Sequence, residues 1–299
     1  MCLEKMFMKD IFTVANSTQN TKRVSRFQTK KIVKVLCLTF MVAASTDGLA
    51  EVIESIHEES PVSVVDGSSE AYVLGKDVYG YNNRGTVNYI FDADVTITQQ
   101  RGTKYSSFDG TASTLYLASH SSQGNSTAVF KGNVNLIHEY SEYTGSLVSA
   151  AALRMDSGTL AEIYGNLNIT LNSATQINSS DPQSSIAIAQ GIRFFNSGMN
   201  DFSKSGSLAV LGQTAISVVN GQYASVGVTT VSSLNSSLSQ GGRSKEISLL
   251  FGAEGLTSSA LNITVAGGRN AMGILFATED EKSRMTVCGD TVIKAGFAK

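Results

Sequence analysis

Cysteine is scarce in this chain, charge is sparse, and the apolar stretch near the N-terminus is short. Three cysteines in 299 residues, Cys2, Cys37 and Cys288, do not make a disulfide-stapled scaffold, and a chain of this length buries a sizeable core without one. Charged residues are 16% of the sequence and the formal net charge is -2, which argues against a nucleic-acid binder, whose affinity rests on a basic patch. Sustained helical periodicity is hard to find. There is no His-Glu-x-x-His and no Asp-rich, Gly-repeat calcium loop, and the three histidines, His57, His120 and His138, are scattered, so neither a metal site nor a cofactor is expected.

The charge that is present is unevenly placed. Eight of the 23 Lys and Arg lie in the first 34 residues, whereas from residue 51 onward 22 acids face 15 bases. Lys30, Lys31 and Lys34 precede the apolar run 35–44 (VLCLTFMVAA), and Ser45 to Ala50 supply small residues at Gly48 and Ala50. A basic region, a short apolar region and a small-residue cleavage site are the parts of a secretory signal peptide. Ten residues reach only about 15 Å as a helix, half of a bilayer core, so they do not form a transmembrane anchor. Cleavage is expected between Ala50 and Glu51, leaving a mature chain without a transmembrane helix. Removal of 1–50 takes Cys2 and Cys37 with it, so the exported chain is expected to carry Cys288 alone, as a small core residue with no internal disulfide.

Residues 51–70 are acidic, contain Pro61 and read as a linker or cap. From 71 to 299 the sequence is strand-like, with short runs of Val, Ile, Thr and Tyr between Ser, Asn, Gly and Asp clusters. One pattern recurs with period two: Phe91, Ala93, Val95, Ile97; Phe130, Gly132, Val134, Leu136; Ile163, Gly165, Leu167, Ile169; Val210, Gly212, Thr214, Ile216; Val287, Gly289, Thr291, Ile293. It predicts strands with one dry face and one wet face, the small residue fitting a narrow interior corner. A second pattern, small residues followed by an apolar pair around one variable position, reads Ala112 to Leu117, Ala150 to Met155, Ala189 to Phe194 and Ala271 to Phe276. Such units bury too little surface alone, so neighbours must stack. Asn220-Gly221 is the one Asn-Gly, so hairpin stacking is not signalled. The predicted fold is all-β, a right-handed parallel β-helix. A coil of roughly 20 residues implies about eleven or twelve rungs and a rod about 50 to 60 Å long.

These features together resemble the passenger domain of a bacterial autotransporter, the type V secretion class: a long basic leader with a late signal peptide, a Ser/Thr/Asn/Gly-rich exported chain, and degenerate strands such as Phe130 to Leu136 and Ile163 to Ile169. The resemblance spans about residue 70 to 299. It implies export through the inner membrane and display at the cell surface, outer membrane or outside the cell, beside a C-terminal outer-membrane β-barrel. The sequence departs from that pattern in reaching Lys299 immediately after a repeat strand, without the aromatic-girdled strands of such a barrel, and so is expected to be a passenger portion or a gene product that ends early.

Enzymatic readings find little. Asp92 and Asp94 are expected on one wet face, but the equivalent positions hold Lys131 and Asn133, then Tyr164 and Asn166, so no carboxylate pair recurs to flank a glycosidic bond. Asp156-Ser157-Gly158 with His57, His120 or His138 is a protease triad only if the fold assembles it. Gly267-Gly268-Arg269-Asn270 lacks the ending of a phosphate loop and reads as a turn. Asn125-Ser126-Thr127, Asn168-Ile169-Thr170 and Asn262-Ile263-Thr264 match glycosylation acceptors and read as wet strand faces or turns. The expected function is a non-enzymatic β-helical stalk or adhesin, with Thr175 to Ser185 and Val231 to Ser244 as contact loops for a host or bacterial surface ligand. The alternatives are a secreted carbohydrate-active β-helix and an immature fragment without independent function.

Overall fold

A computed structural model describes residues 52–66, 70–75, 85–100, 111–118, 124–140, 148–156, 158–173, 186–195, 206–219, 221, 224–234, 240–243, 246–276 and 282–296. The described residues contain strands and no α-helix. The first coil is β1 (Val52–Glu58), β2 (Val62–Asp66) and β3 (Glu70–Leu74), and the second is β4 (Gly85–Phe91), β5 (Val95–Gln100) and β6 (Thr111–Leu117). The third comprises β7 (Gly124–Phe130), β8 (Val134–Tyr140) and β9 (Val148–Asp156), and the fourth β10 (Leu160–Ile163), β11 (Leu167–Ser173) and β12 (Ile186–Phe195). The fifth is β13 (Gly206–Val210), β14 (Thr214–Val219) and β15 (Ala224–Thr229), after which β16 (Val231–Leu234) and β17 (Gln240–Arg243) interrupt the winding. The sixth coil is β18 (Ile247–Phe251), β19 (Leu261–Ala266) and β20 (Asn270–Leu275), and the seventh contains β21 (Arg284–Val287) and β22 (Thr291–Gly296).

Each strand pairs in parallel with its counterpart one coil away. Sheet A runs β1-β4-β7-β10-β13-β18-β21, sheet B runs β2-β5-β8-β11-β14-β19-β22, and sheet C runs β3-β6-β9-β12-β15-β20. The chain is therefore a three-sided parallel β-helix. Residues 52–66 form the terminal strands of sheets A and B.

The coils are larger and fewer than the repeat count suggested. Val62 pairs with Val95, Val95 with Val134, Val134 with Leu167, Leu167 with Thr214, Thr214 with Leu261 and Leu261 with Thr291, so one turn takes between 30 and 47 residues. Six such steps at about 4.8 Å give a rise of about 29 Å, not 50 to 60 Å. The excess arose because both sequence patterns belong to the same coil. The first is not one straight strand: Phe91 ends β4, Asp92 to Asp94 form a corner, and Val95 begins β5. A corner of three residues preserves the inward alternation, so period two continues through the bend.

Columns of side chains in coil-to-coil register fill the interior. Phe91 pairs in register with Phe130, then Ile163, Val210, Phe251 and Val287, and the rings of Phe91 and Phe130 stack with centroids 4.8 Å apart. Val95, Val134, Leu167 and Leu261 share a second column, and Ile97, Leu136, Ile169, Ile216 and Ile263 a third, all buried. The small corner residue is dictated by coil spacing. A Cβ on Gly165 would lie 2.4 Å from the Gly132 carbonyl oxygen, and one on Gly212 would lie 2.3 Å from that of Gly165, both inside van der Waals contact with backbone.

The second pattern is sheet C. Ala112 pairs with Ala150, Ala150 with Ala189, Ala189 with Ser225 and Ser225 with Ala271, so the four copies align in the register the sequence suggested, with β15 inserted between the third and fourth. Sheet B alternates buried and half-exposed residues, but 112–118, 150–156 and 188–194 are buried throughout. Parallel strands covered on both faces read as nearly continuous small or apolar runs, which is why this pattern lacks a polar alternate.

Candidate functional site

Polar chemistry concentrates in three places. The first is the corner between sheets A and B. Asp92 pairs with Lys131, whose Nζ stands 2.6 Å from Oδ1, and with His57, whose Nε2 stands 2.6 Å from Oδ2, which ties the first three coils together. Lys131 first, and His57 with it, hold the Asp92 carboxyl below its usual range against a smaller opposing effect of burial. Asp94 faces a different set: its Oδ1 accepts from Asn133 N at 2.7 Å and Asn133 Nδ2 at 3.2 Å. Asn133 Oδ1 then accepts from Asn166 N at 2.9 Å, and Asn166 Oδ1 from Gln213 N at 2.8 Å. Side-chain oxygens at one corner thus bind the backbone of the next coil, a ladder that holds coil register from the outside. Beside it the half-exposed Tyr164 donates to Glu162 Oε2 at 3.3 Å, and partial burial raises the Glu162 pKa.

The second cluster lies inside the bore. Gln99, Thr114 and His138 are buried, with Thr114 Oγ1 2.9 Å from His138 Nδ1 and 3.4 Å from Gln99 Oε1. His138 pairs in register with Leu171, so it occupies a column that is aliphatic one coil later. Desolvation pushes its pKa down to about 3, and the ring is neutral at pH 7.

The third cluster sits on the outward side of sheet C. Tyr116, Arg154 and Arg193 occupy one register position in successive coils. They are the variable residue between the apolar pair of the second pattern. The Arg154 guanidinium lies 4.2 Å from the Tyr116 ring centroid, Tyr116 OH donates to Asp156 Oδ2 at 2.7 Å, and Arg154 Nε stands 3.8 Å from Asp156 Oδ1. All four side chains are buried, so cation-π contact and the carboxylate offset the desolvation of charge. No catalytic motif marked these residues. The available signal was a cation recurring at the same place in two consecutive copies.

The carboxylates considered for glycoside chemistry are thus both engaged, Asp92 by a cation and an imidazole and Asp94 by an amide ladder. Among the described residues the protease candidates are not brought together: His57 meets Asp92, His138 meets Thr114 and Asp156 meets Tyr116; His120 and Ser157 lie outside the described residues. After Asp156 the chain turns, with Thr159 N and Oγ1 both donating to the Asp156 carbonyl and Gly158 at φ 87°. Gly267 and Gly268, at φ 98° and 73°, make the tight connection from β19 to β20 that only glycine adopts readily. Among the glycosylation matches, Asn168 Nδ2 donates to Asn135 Oδ1 at 2.9 Å, extending the polar ladder along sheet B. Of the two contact loops, Thr175 to Ser185 lies outside the described residues. Val231 to Ser244 contains an antiparallel hairpin in which Val231 pairs with Arg243 and Leu234 with Gln240; it is not a plain loop.

Cys288 is buried against Ala209 and Leu250, as a small core residue is. In the full chain Cys288 is also disulfide-bonded; the expectation of no internal disulfide concerned the chain from Glu51 onward. Among the described residues no group of His, Cys, Asp and Glu is arranged to hold a metal ion, and none forms a helix long and apolar enough to cross a membrane. No protein-family model, curated protein or solved structure matches the chain.

Proposed function

We propose that this chain is the β-helical passenger portion of an exported surface protein, acting as a rigid, non-enzymatic stalk with an adhesive role. The observation that carries the reading is the use made of its polar side chains: Asp92, Asp94, Asn133 and Asn166 all bind the neighbouring coil. A surface built to fasten one coil to the next is suited to transmitting force along the axis. Contact with a host or bacterial surface then falls to Thr175 to Ser185 and to the stretch Val231 to Ser244, whose β16–β17 hairpin stands apart from the three parallel sheets. The basic leader and short apolar segment before Glu51 support export, and the partner on this reading is an outer-membrane β-barrel.

Two measurements test it. In a Gram-negative host, mass spectrometry of the exported product is expected to find Glu51 at the N-terminus, and retention of the intact leader inside the cell overturns export. Deleting Thr175 to Ser185 or Val231 to Ser244 is expected to leave the coil fold intact by circular dichroism and to reduce attachment of displaying cells. Unchanged attachment in both deletions removes the adhesive assignment, and turnover of a polysaccharide by the purified chain would replace the stalk with an enzyme.

A further inference from the structure

Coil register extends the polar cluster of the bore beyond its hydrogen bonds. Asp66 pairs with Gln99, Gln99 with His138, His138 with Leu171, Leu171 with Val218 and Val218 with Val265. One inward column is therefore polar from the first coil to the third and aliphatic from the fourth to the sixth. Asp66 is half-buried, and every residue from Gln99 to Val265 in this column is buried. Among the buried side chains of β5, β8, β11, β14 and β19, His138 is the one ionisable group.

The surroundings of His138 favour a neutral ring. Thr114 of β6 presents a hydroxyl 2.9 Å from Nδ1, Gln99 of β5 an uncharged amide, and Leu171 of β11 hydrocarbon. Inward from β9 come Leu153 and Met155, both in the core. The titratable groups of the same strands face elsewhere: Glu139 of β8 is exposed, whereas Tyr116, Arg154 and Asp156 are engaged with one another on the outward side of sheet C. Asp66 shares the column, but Gln99 stands between it and the ring. Desolvation accordingly lowers the His138 pKa to about 3 from an ordinary 6.5. Each coil of a solenoid is held by its neighbours, so a penalty placed in one section is not shared evenly along the axis, and sections of one structure open with different free energies.

We propose that His138 makes the second and third coils an acid-released section of the β-helix: as the pH falls below neutral, β5, β6 and β8 open while the fourth to sixth coils, whose column is aliphatic, stay closed. Opening admits water to the ring, which then binds a proton that the closed form refuses. The contribution of the neutral ring is complete above pH 6.5 and declines as pH falls toward 3. The inference does not depend on the stalk reading.

Hydrogen exchange of the full chain, read by mass spectrometry at pH 7 and pH 5 and corrected for the intrinsic pH dependence of exchange, tests it. Protection of Val95–Gln100, Thr111–Leu117 and Val134–Tyr140 is expected to fall about 25-fold between the two pH values, while that of Thr214–Val219 and Leu261–Ala266 stays unchanged. His138→Gln, neutral at both pH values, is expected to abolish the fall, and His138→Leu serves if the glutamine variant does not fold. In the wild-type chain, an equal loss of protection in both sets of strands, or no loss in the first set, overturns the proposal. A fall in the first set that persists in a folded His138 variant overturns it as well.

Discussion

At the scale of the residue, side-chain size at the A-to-B corner decides how closely two coils approach. Gly165 faces the Gly132 carbonyl oxygen and itself lies beneath Gly212, so no rotamer offers an escape from backbone. Gly165→Val is expected to destabilise by about 1–3 kcal/mol or more through overpacking, read as an earlier urea midpoint; an unchanged midpoint means the coils separate there at no cost. Thr214 presents the reverse case. It stands in the column of Val95, Val134 and Leu167 with its Oγ1 buried and without a hydrogen-bond partner. Thr214→Val removes a desolvated hydroxyl at nearly constant volume and is expected to stabilise by about 1 kcal/mol, which the same urea titration measures.

At the scale of the element, the legible strands are those whose patterns survive the connections. Corners of three residues keep Phe130 in phase with Val134 and Ile163 with Leu167, and those copies stand out in the sequence. The sixth coil is hidden because nine residues, 252–260, separate Phe251 from Leu261, which destroys the spacing although the register holds. Strand β15 escaped notice for another reason: Ser225 to Thr229 pairs with Ala189 to Arg193 but lacks the apolar pair that marks the other copies. The antiparallel hairpin β16–β17 carries neither pattern and lies in a Ser-rich stretch that reads as a loop. For the polar clusters, alternation places Asp92 and Asp94 on an outer surface, yet the split between Lys131 and Asn133 as their partners follows from coils 33 to 39 residues apart.

At the scale of the whole molecule, the interior of a solenoid is continuous, so one titrating group inside it acts on the stacked coils around it. His138 has a folded pKa of about 3 against an ordinary 6.5. Its unfolded form binds a proton that the folded form refuses, so the stability conferred by the neutral ring is complete above pH 6.5 and is lost as pH falls toward 3, at most about 5 kcal/mol in all. Asp92 adds a second loss at lower pH, because a carboxyl whose folded pKa is depressed stabilises above its ordinary value and stops doing so as pH falls through the lowered one. Thermal melts between pH 7 and 4 are expected to show a falling midpoint that His138→Leu makes flatter. An equally steep fall in that variant means His138 is not the group responsible.

The amino-acid sequence by itself determined the class of structure: scarce helical periodicity, two recurring strand patterns, and a small residue wherever the chain turns from sheet A to sheet B. Those are local properties, written in residues two to six apart. How many strands make a coil was decided only in three dimensions, because that number depends on which residues 30 to 47 positions apart exchange backbone hydrogen bonds. The same holds for the fate of the charges. Arg154, Asp156 and Tyr116 come from two coils and become one buried cluster, because stacking converts distant positions into neighbours about 4.8 Å apart.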